Sequence, residues 1–116
     1  MISIKAGTAT INGTNGADWL LRFNNELPNY YITQEELALL GWRKGDKVSK
    51  YAMGKMLFGG IYKNRNQHLP QVEGRIWYEA DINYKAGKRN CQRILWSNDG
   101  LLFATYDHYA TFYEII

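Results

Sequence analysis

Between Gly74 and Tyr84 apolar and polar residues alternate with a period of two, and isoleucine, tryptophan and tyrosine dominate the run. That composition and period predict a strand rather than a helix. Ile76, Tyr78, Ala80 and Ile82 then share one face, and Trp77, Glu79, Asp81 and Asn83 the other. Two carboxylates roughly 7 Å apart on one face require cations nearby. The next run, Arg89 to Ser97, supplies Arg89 and Arg93 at even spacing, with Ile94 and Trp96 pointing the opposite way. The pattern predicts a sheet face carrying Glu79, Asp81 and the two arginines above an apolar face. Lys85-Ala86-Gly87-Lys88 is the turn between these strands, and Ser97-Asn98-Asp99-Gly100 is a tight-turn signal before strands at 101–106 and 112–116.

The first half has a different texture. Gly16–Phe23 reads as a helix with Thr14 or Asn15 as its cap, a buried stripe of Leu20 and Phe23 with Ala17 behind them, and Leu27-Pro28-Asn29 beyond its end. Thr33-Gln34-Glu35-Glu36 matches a capping box, and the short helix it opens stops at Leu40-Gly41. Val48–Met53 is one more short helical stretch, and Gly59-Gly60 marks a kinked or bulged strand before the loop Lys63–Pro70. Residues 1–13 carry little pattern and are expected to be irregular. Helices first and hairpin-linked strands afterwards predict an α+β fold, N-terminal helices packed on a C-terminal antiparallel sheet. No repeat or linker divides the 116 residues, so the expectation is a single domain over 1–116.

Composition narrows the functional classes. Hydrophobic content of 46% argues against disorder, and no apolar run approaches the ~20 residues of a membrane span. The first residues lack the features of a secretory signal, so the chain is either cytosolic or a mature form without its leader. Cys91 is the only cysteine: a nucleophile or metal ligand on one reading, a small strand residue beside Arg93 on the other. The net charge of +3 is unevenly spread. Residues 1–36 hold two basic and four acidic groups, 37–72 hold seven basic groups against Asp46 alone, and the remainder nets −1. A basic middle segment suits a polyanion.

Tyr78–Tyr84, Arg89-Asn90, Arg93-Ile94-Leu95 and Asp107–Phe112 resemble, in order and spacing, the small bacterial guanyl-preferring ribonucleases of the barnase and binase type. The similarity runs from about Gly16 to Ile116, with insertions and deletions in the helical half. It implies a barnase-like fold and a metal-independent endoribonuclease that cleaves single-stranded RNA to a 2′,3′-cyclic phosphate, without a cofactor. It also implies roles: Glu79 as general base, His108 as general acid, Arg89 as phosphate clamp, Arg93 as second phosphate ligand and Asp81 holding the arginines. Tyr109 and Tyr62 fall where aromatic rings flank the base, and Asn64-Arg65 where backbone amides read guanine. Arg75 and Asp99 match a structural ion pair, and His68 matches nothing functional. Two positions depart from the pattern. Gln34 stands where the family carries lysine, which implies a lower rate unless Lys63, Lys88 or another basic side chain substitutes, and Asn66 stands where it carries glutamate, which implies a weaker guanine preference.

The resemblance further implies a small acidic, barstar-like inhibitor as partner, a monomer, and secretion as a mature form. A toxin domain delivered into another cell's cytoplasm is the alternative. A non-catalytic RNA-binding domain and a glycan-binding surface module remain open from the residues alone. The chemistry itself asks for little: a base for the 2′-OH, an acid for the departing 5′-oxygen, and cations for the phosphate. Glutamate, histidine and arginine have suitable protonation states near neutral pH.

Overall fold

The computed structural model describes residues 2–116; Met1, the first residue of the segment expected to be irregular, lies outside them. The elements are β1 (Ser3–Ile4), α1 (Ala17–Asn24), β2 (Tyr31–Thr33), α2 (Gln34–Leu39), α3 (Val48–Tyr51), β3 (Met56–Tyr62), β4 (Trp77–Asp81), β5 (Arg93–Ser97), β6 (Leu102–Thr105) and β7 (Tyr113–Ile115), with a 3₁₀ turn at Gly13–Asn15. One seven-stranded sheet runs in the order β1-β7-β6-β5-β4-β3-β2. The α+β expectation stands. The five strands from β3 to β7 are antiparallel, as consecutive hairpins require, but both outer pairings, β1 with β7 and β2 with β3, are parallel. Those outer strands are two and three residues long, too short to show a period, and their partners are distant in sequence. Among the described residues no helix is long and apolar enough to cross a membrane.

The capping box forms as the sequence specifies. The Glu36 amide donates to Thr33 Oγ1 at 3.1 Å, and the Thr33 amide donates back to Glu36 Oε1 at 3.0 Å. Gly41, at φ 100°, closes this helix in the left-handed region that glycine adopts without strain. The first helix departs from expectation. Its cap is Gly16 with no side-chain bond, because Thr14 and Asn15 belong to the preceding 3₁₀ turn. Phe23 is 55% exposed and packs on Trp19 at 4.5 Å instead of entering the core. The residue that ties this helix down is one the pattern concealed. Asp18 is fully buried and accepts from the Gly7 amide at 2.7 Å, the Ala9 amide at 3.0 Å and the Thr10 hydroxyl at 2.9 Å. Residues 7–10 are thereby fastened onto α1, and Ala6 and Ala9 join the core.

The sheet buries both faces. On one, α1 covers Ala80, Ile82, Ile94, Leu102 and Ala104. On the other, Trp77, Leu95 and Phe103 form an apolar row with Leu69 and Phe112. A third cluster, Ile32, Leu37, Trp42, Val48 and Leu57, seats α2 and α3 at the β2–β3 end. The second face is therefore not the wholly polar surface the alternation implied. Trp77 shares it with Glu79 and Asp81 but is 1% exposed, because loop residues cover that end.

Candidate active site

Three strands set the site in two cross-strand rows. Asp81 pairs with Arg93 and Arg93 with Thr105, while Glu79 pairs with Leu95 and Leu95 with Phe103. The polar row thus lies at one end of the face and the Glu79 carboxyl rises at its border with the apolar row. The β3 bulge falls between Phe58 and Gly60, opposite Glu79. A Cβ at Gly59 would stand 3.1 Å from Glu79 Cγ, so a side chain at that position would press on the carboxylate's stem. Gln34 lines a small cleft of about 170 Å³ at the same bulge, with Thr33, Phe58 and Gly60.

Asp81 anchors both arginines. It is 1% exposed and accepts from Arg89 Nε at 2.7 Å and Arg89 Nη2 at 2.6 Å, a two-point fork that fixes the guanidinium plane. Arg93 Nε lies 3.2 Å from Asp81 Oδ1 without the alignment of a hydrogen bond, so this contact is one of charge. Arg93 is 4% exposed, and its Nη1 donates to the carbonyls of Asn90 at 2.7 Å and Gln92 at 2.8 Å. Arg89 is half-buried and sits on the loop before β5, since that strand begins only at Arg93. The expected strand from Arg89 is thus shorter at its start. Cys91 is an exposed residue of the same loop, not a strand residue, and its carbonyl accepts the His108 amide at 3.0 Å.

The loop after β6 is held by its own polar groups. The Asp107 carboxylate accepts from the Thr105 hydroxyl at 3.0 Å and the Thr111 amide at 2.8 Å, and Thr105 Oγ1 accepts the Tyr109 amide at 3.0 Å. These bonds hold the Asp107 carboxyl below the usual carboxylate range. They also maintain His108 and Tyr109 in consecutive left-handed conformations, at φ 57° and 71°, and the Tyr109 ring lies back over the sheet against Glu79. The Tyr109 hydroxyl donates to Glu79 Oε1, and its ring lies 4.9 Å from the exposed His108 ring. Glu79 and His108 therefore meet at one residue. Burial and the Glu79 carboxylate together push the Tyr109 phenol well above its ordinary range, so it stays a donor.

Tyr62 and Tyr109 come together, stacked on each other at 5.3 Å with planes 12° apart. A base between two rings needs them roughly 7 Å apart, twice an ordinary contact distance. The slot is closed. In the neighbouring loop, Asn64 is buried at φ 50°, and its side chain brackets Leu69, donating to the carbonyl at 2.9 Å and accepting the amide at 3.2 Å. Its side chain shapes the loop, while the amides of Arg65 and Asn66 meet no acceptor among the described residues. Arg65, Asn66 and His68 are exposed. Arg75 makes its expected pair, with Nε 3.0 and 2.9 Å from the two Asp99 oxygens, away from this face.

Sequence reasoning passed over Thr105, Asp107, Asn90 and the Cys91 carbonyl, which hold the candidate side chains in place. The Thr-x-Asp spacing before the histidine was the available signal, since such residues close turns on themselves.

Residues 15–116 match the family model described as ribonuclease. A ribonuclease of Heyndrickxia coagulans is 46% identical over 110 residues, covering 92% of this chain and 99% of that protein. This chain belongs to the ribonuclease family. A ribonuclease of Bacillus intermedius is also 46% identical over 110 residues, covering 92% of this chain and 67% of that protein. A crystal structure of ribonuclease Sa2 with guanosine-2′-cyclophosphate aligns with a TM-score of 0.44 at 23% identity, over 74% of this chain and 94% of that one. The family places the ribonuclease among the barnase and binase type that its motifs resemble, and makes it an endoribonuclease rather than a non-catalytic RNA-binding or glycan-binding module.

Proposed function

We propose that this ribonuclease cleaves single-stranded RNA by transesterification to a 2′,3′-cyclic phosphate, without a metal ion. Glu79 takes the proton from the 2′-OH and His108 gives one to the departing 5′-oxygen. Arg89, its plane fixed by Asp81, clamps the phosphate through the Nη1 side of its fork, which Asp81 leaves free. Arg93 adds charge from beneath and serves as second phosphate ligand once Tyr109 lifts. Tyr109 and Tyr62 separate to take the base between them, and the free amides of the Asn64-Arg65 loop read its edge. The observation that carries this reading is the meeting of Glu79 and His108 at Tyr109, beside an arginine whose orientation a buried carboxylate fixes.

Guanine preference is weaker than in relatives with a carboxylate at the Asn66 position, because a neutral amide lacks the charge-assisted bond. Dinucleotides differing only in the 5′ base test this, and strict guanine selectivity refutes it. The reaction is tested by mapping products on an RNA of defined sequence in excess EDTA. Cyclic phosphate termini are expected, with the matching DNA intact because it lacks the attacking hydroxyl. Cleavage that stops with chelator refutes the mechanism. A small acidic inhibitor covering the arginine face fits the basic middle segment, and its association would slow steeply with salt.

A further inference from the structure

The large apolar side chains most open to solvent stand at one corner of the molecule, at the last residue of α2 and just after α3. Leu39 and Met53 are 89% and 88% exposed, above every other large apolar residue described, and Leu40 is 54% exposed. The backbone beneath them is fixed. The Leu40 amide donates to the Leu37 carbonyl and the Gly41 amide to the Ala38 carbonyl, and the Trp42 amide also reaches the Leu37 carbonyl, each at 3.0 Å. Gly41 backs onto the Tyr51 ring, where a Cβ would stand 3.5 Å from it, so the end of α2 lies against the end of α3. Tyr51 and Ala52 pack on the cluster of Leu37, Trp42 and Val48. The turn that carries Met53 is closed by the Lys55 amide, which donates to the Ala52 carbonyl at 3.2 Å. Three apolar side chains therefore project from two adjoining helix ends, above a core that is packed without them.

The same corner is cationic. Residues 39–55 hold five basic side chains against Asp46 alone. Arg43, Lys47 and Lys50 are exposed and make no ion pair with the described residues, and the Lys50 ammonium stands 5.5 Å over the Tyr51 ring. Asp46 is engaged in its own turn, its carboxylate accepting the Arg43 amide at 3.0 Å and the Tyr51 hydroxyl at 3.4 Å. The acidic residues of α2, Glu35 and Glu36, are in its first turn, at the opposite end from Leu39. We propose that this corner docks the ribonuclease on an anionic lipid bilayer. Leu39, Leu40 and Met53 enter the headgroup layer, and Arg43, Lys47 and Lys50 rest on its anionic groups. Charge complementarity decides the occupant. A second copy would bring like charge against like, and RNA would satisfy the cations yet leave leucine and methionine in water. A partner's helix needs a groove to lie in, whereas a side chain nearly nine-tenths exposed has no walls beside it. A bilayer surface takes projecting apolar tips and flanking cations together.

The test is sedimentation of the wild type with vesicles of phosphatidylcholine, alone or mixed with phosphatidylserine, at low salt and free of RNA. Binding is expected to the mixed vesicles and should be at least about tenfold weaker on the neutral ones. Lys47→Gln/Lys50→Gln should weaken binding to the mixed vesicles about thirtyfold. Leu39→Ser/Met53→Ser should weaken it at least about tenfold. Tm and dinucleotide cleavage in that variant should stay at wild-type values, since neither side chain packs in the core. The bound protein should keep its near-ultraviolet circular dichroism. Equal binding to neutral vesicles overturns the proposal. So does no binding to the mixed ones, which would leave an acidic protein as the occupant. Undiminished binding by Leu39→Ser/Met53→Ser also overturns it, by reducing the contact to the adhesion of any basic protein. Loss of the near-ultraviolet signal on binding does the same, because the lipid would then be meeting an opened core. A wild type that leaves the dinucleotide intact refutes the catalytic reading alone, and the vesicle result stands by itself.

Discussion

Replacing Asp81 by asparagine preserves shape and deletes one charge, and the structure allows its effect to be worked out. The carboxylate accepts two bonds from Arg89 and lies 3.2 Å from Arg93 Nε, which is itself 4% exposed. Without Asp81, the Arg93 charge is buried among carbonyls alone. Removing one partner of a buried pair costs about 3–5 kcal/mol, far more than the pair adds when intact. Unfolding entropy of about 2.1 cal/mol/K per residue gives about 0.24 kcal/mol/K for 116 residues. Asp81→Asn should therefore lower Tm by about 12–20 °C, followed by far-ultraviolet circular dichroism at neutral pH. Asp99→Asn breaks a pair whose carboxylate side chain is 45% exposed, and serves as control with a much smaller drop. Below the variant's Tm, kcat/KM should fall about a hundredfold, because Arg89 loses the fork that orients it. A Tm within 3 °C of wild type would refute the anchoring argument, whatever the activity.

Glu79→Gln should reduce kcat by about 10²–10⁴ while RNA binding changes less than threefold; a parallel loss of binding would make Glu79 a structural residue. Tyr109→Phe keeps the stack on Tyr62 and deletes the hydroxyl that holds Glu79. Its KM for a dinucleotide should drop about three- to tenfold because the closed site opens more easily, and an unchanged KM would show that closure has no energetic consequence. Acid stability follows from Asp99, Asp107 and Glu36, whose carboxyls are held low by Arg75, by the Thr111 amide and by Thr33 respectively. With folded values below the unfolded ones, their contribution is complete above about pH 4 and is lost as pH falls below it. Tm should be flat from pH 7 to 5 and decline below 4, less steeply in Asp107→Asn; an identical decline in that variant would show that Asp107 has no part in it.

The sequence by itself determined what is local or periodic. The alternation in 74–84 placed Glu79 and Asp81 on one face, Thr33 and Glu36 closed their capping box, and the paired glycines at 59–60 made the bulge. Period and cap depend on residues at most a few positions apart, which is why they can be read along the chain. Tertiary structure decided everything that couples distant segments. It made Asp18 the fastener of residues 7–10 and joined β1 and β2 to the sheet edges in parallel. It buried Arg93 and covered half of the presumed polar face with loop residues. It also folded Tyr109 onto both Tyr62 and Glu79, so that residues chosen separately as base-stacking and catalytic form one closed unit. A left-handed pair at His108-Tyr109 is stable only because Thr105, Asp107 and the Cys91 carbonyl hold it, and the last of these lies on another loop.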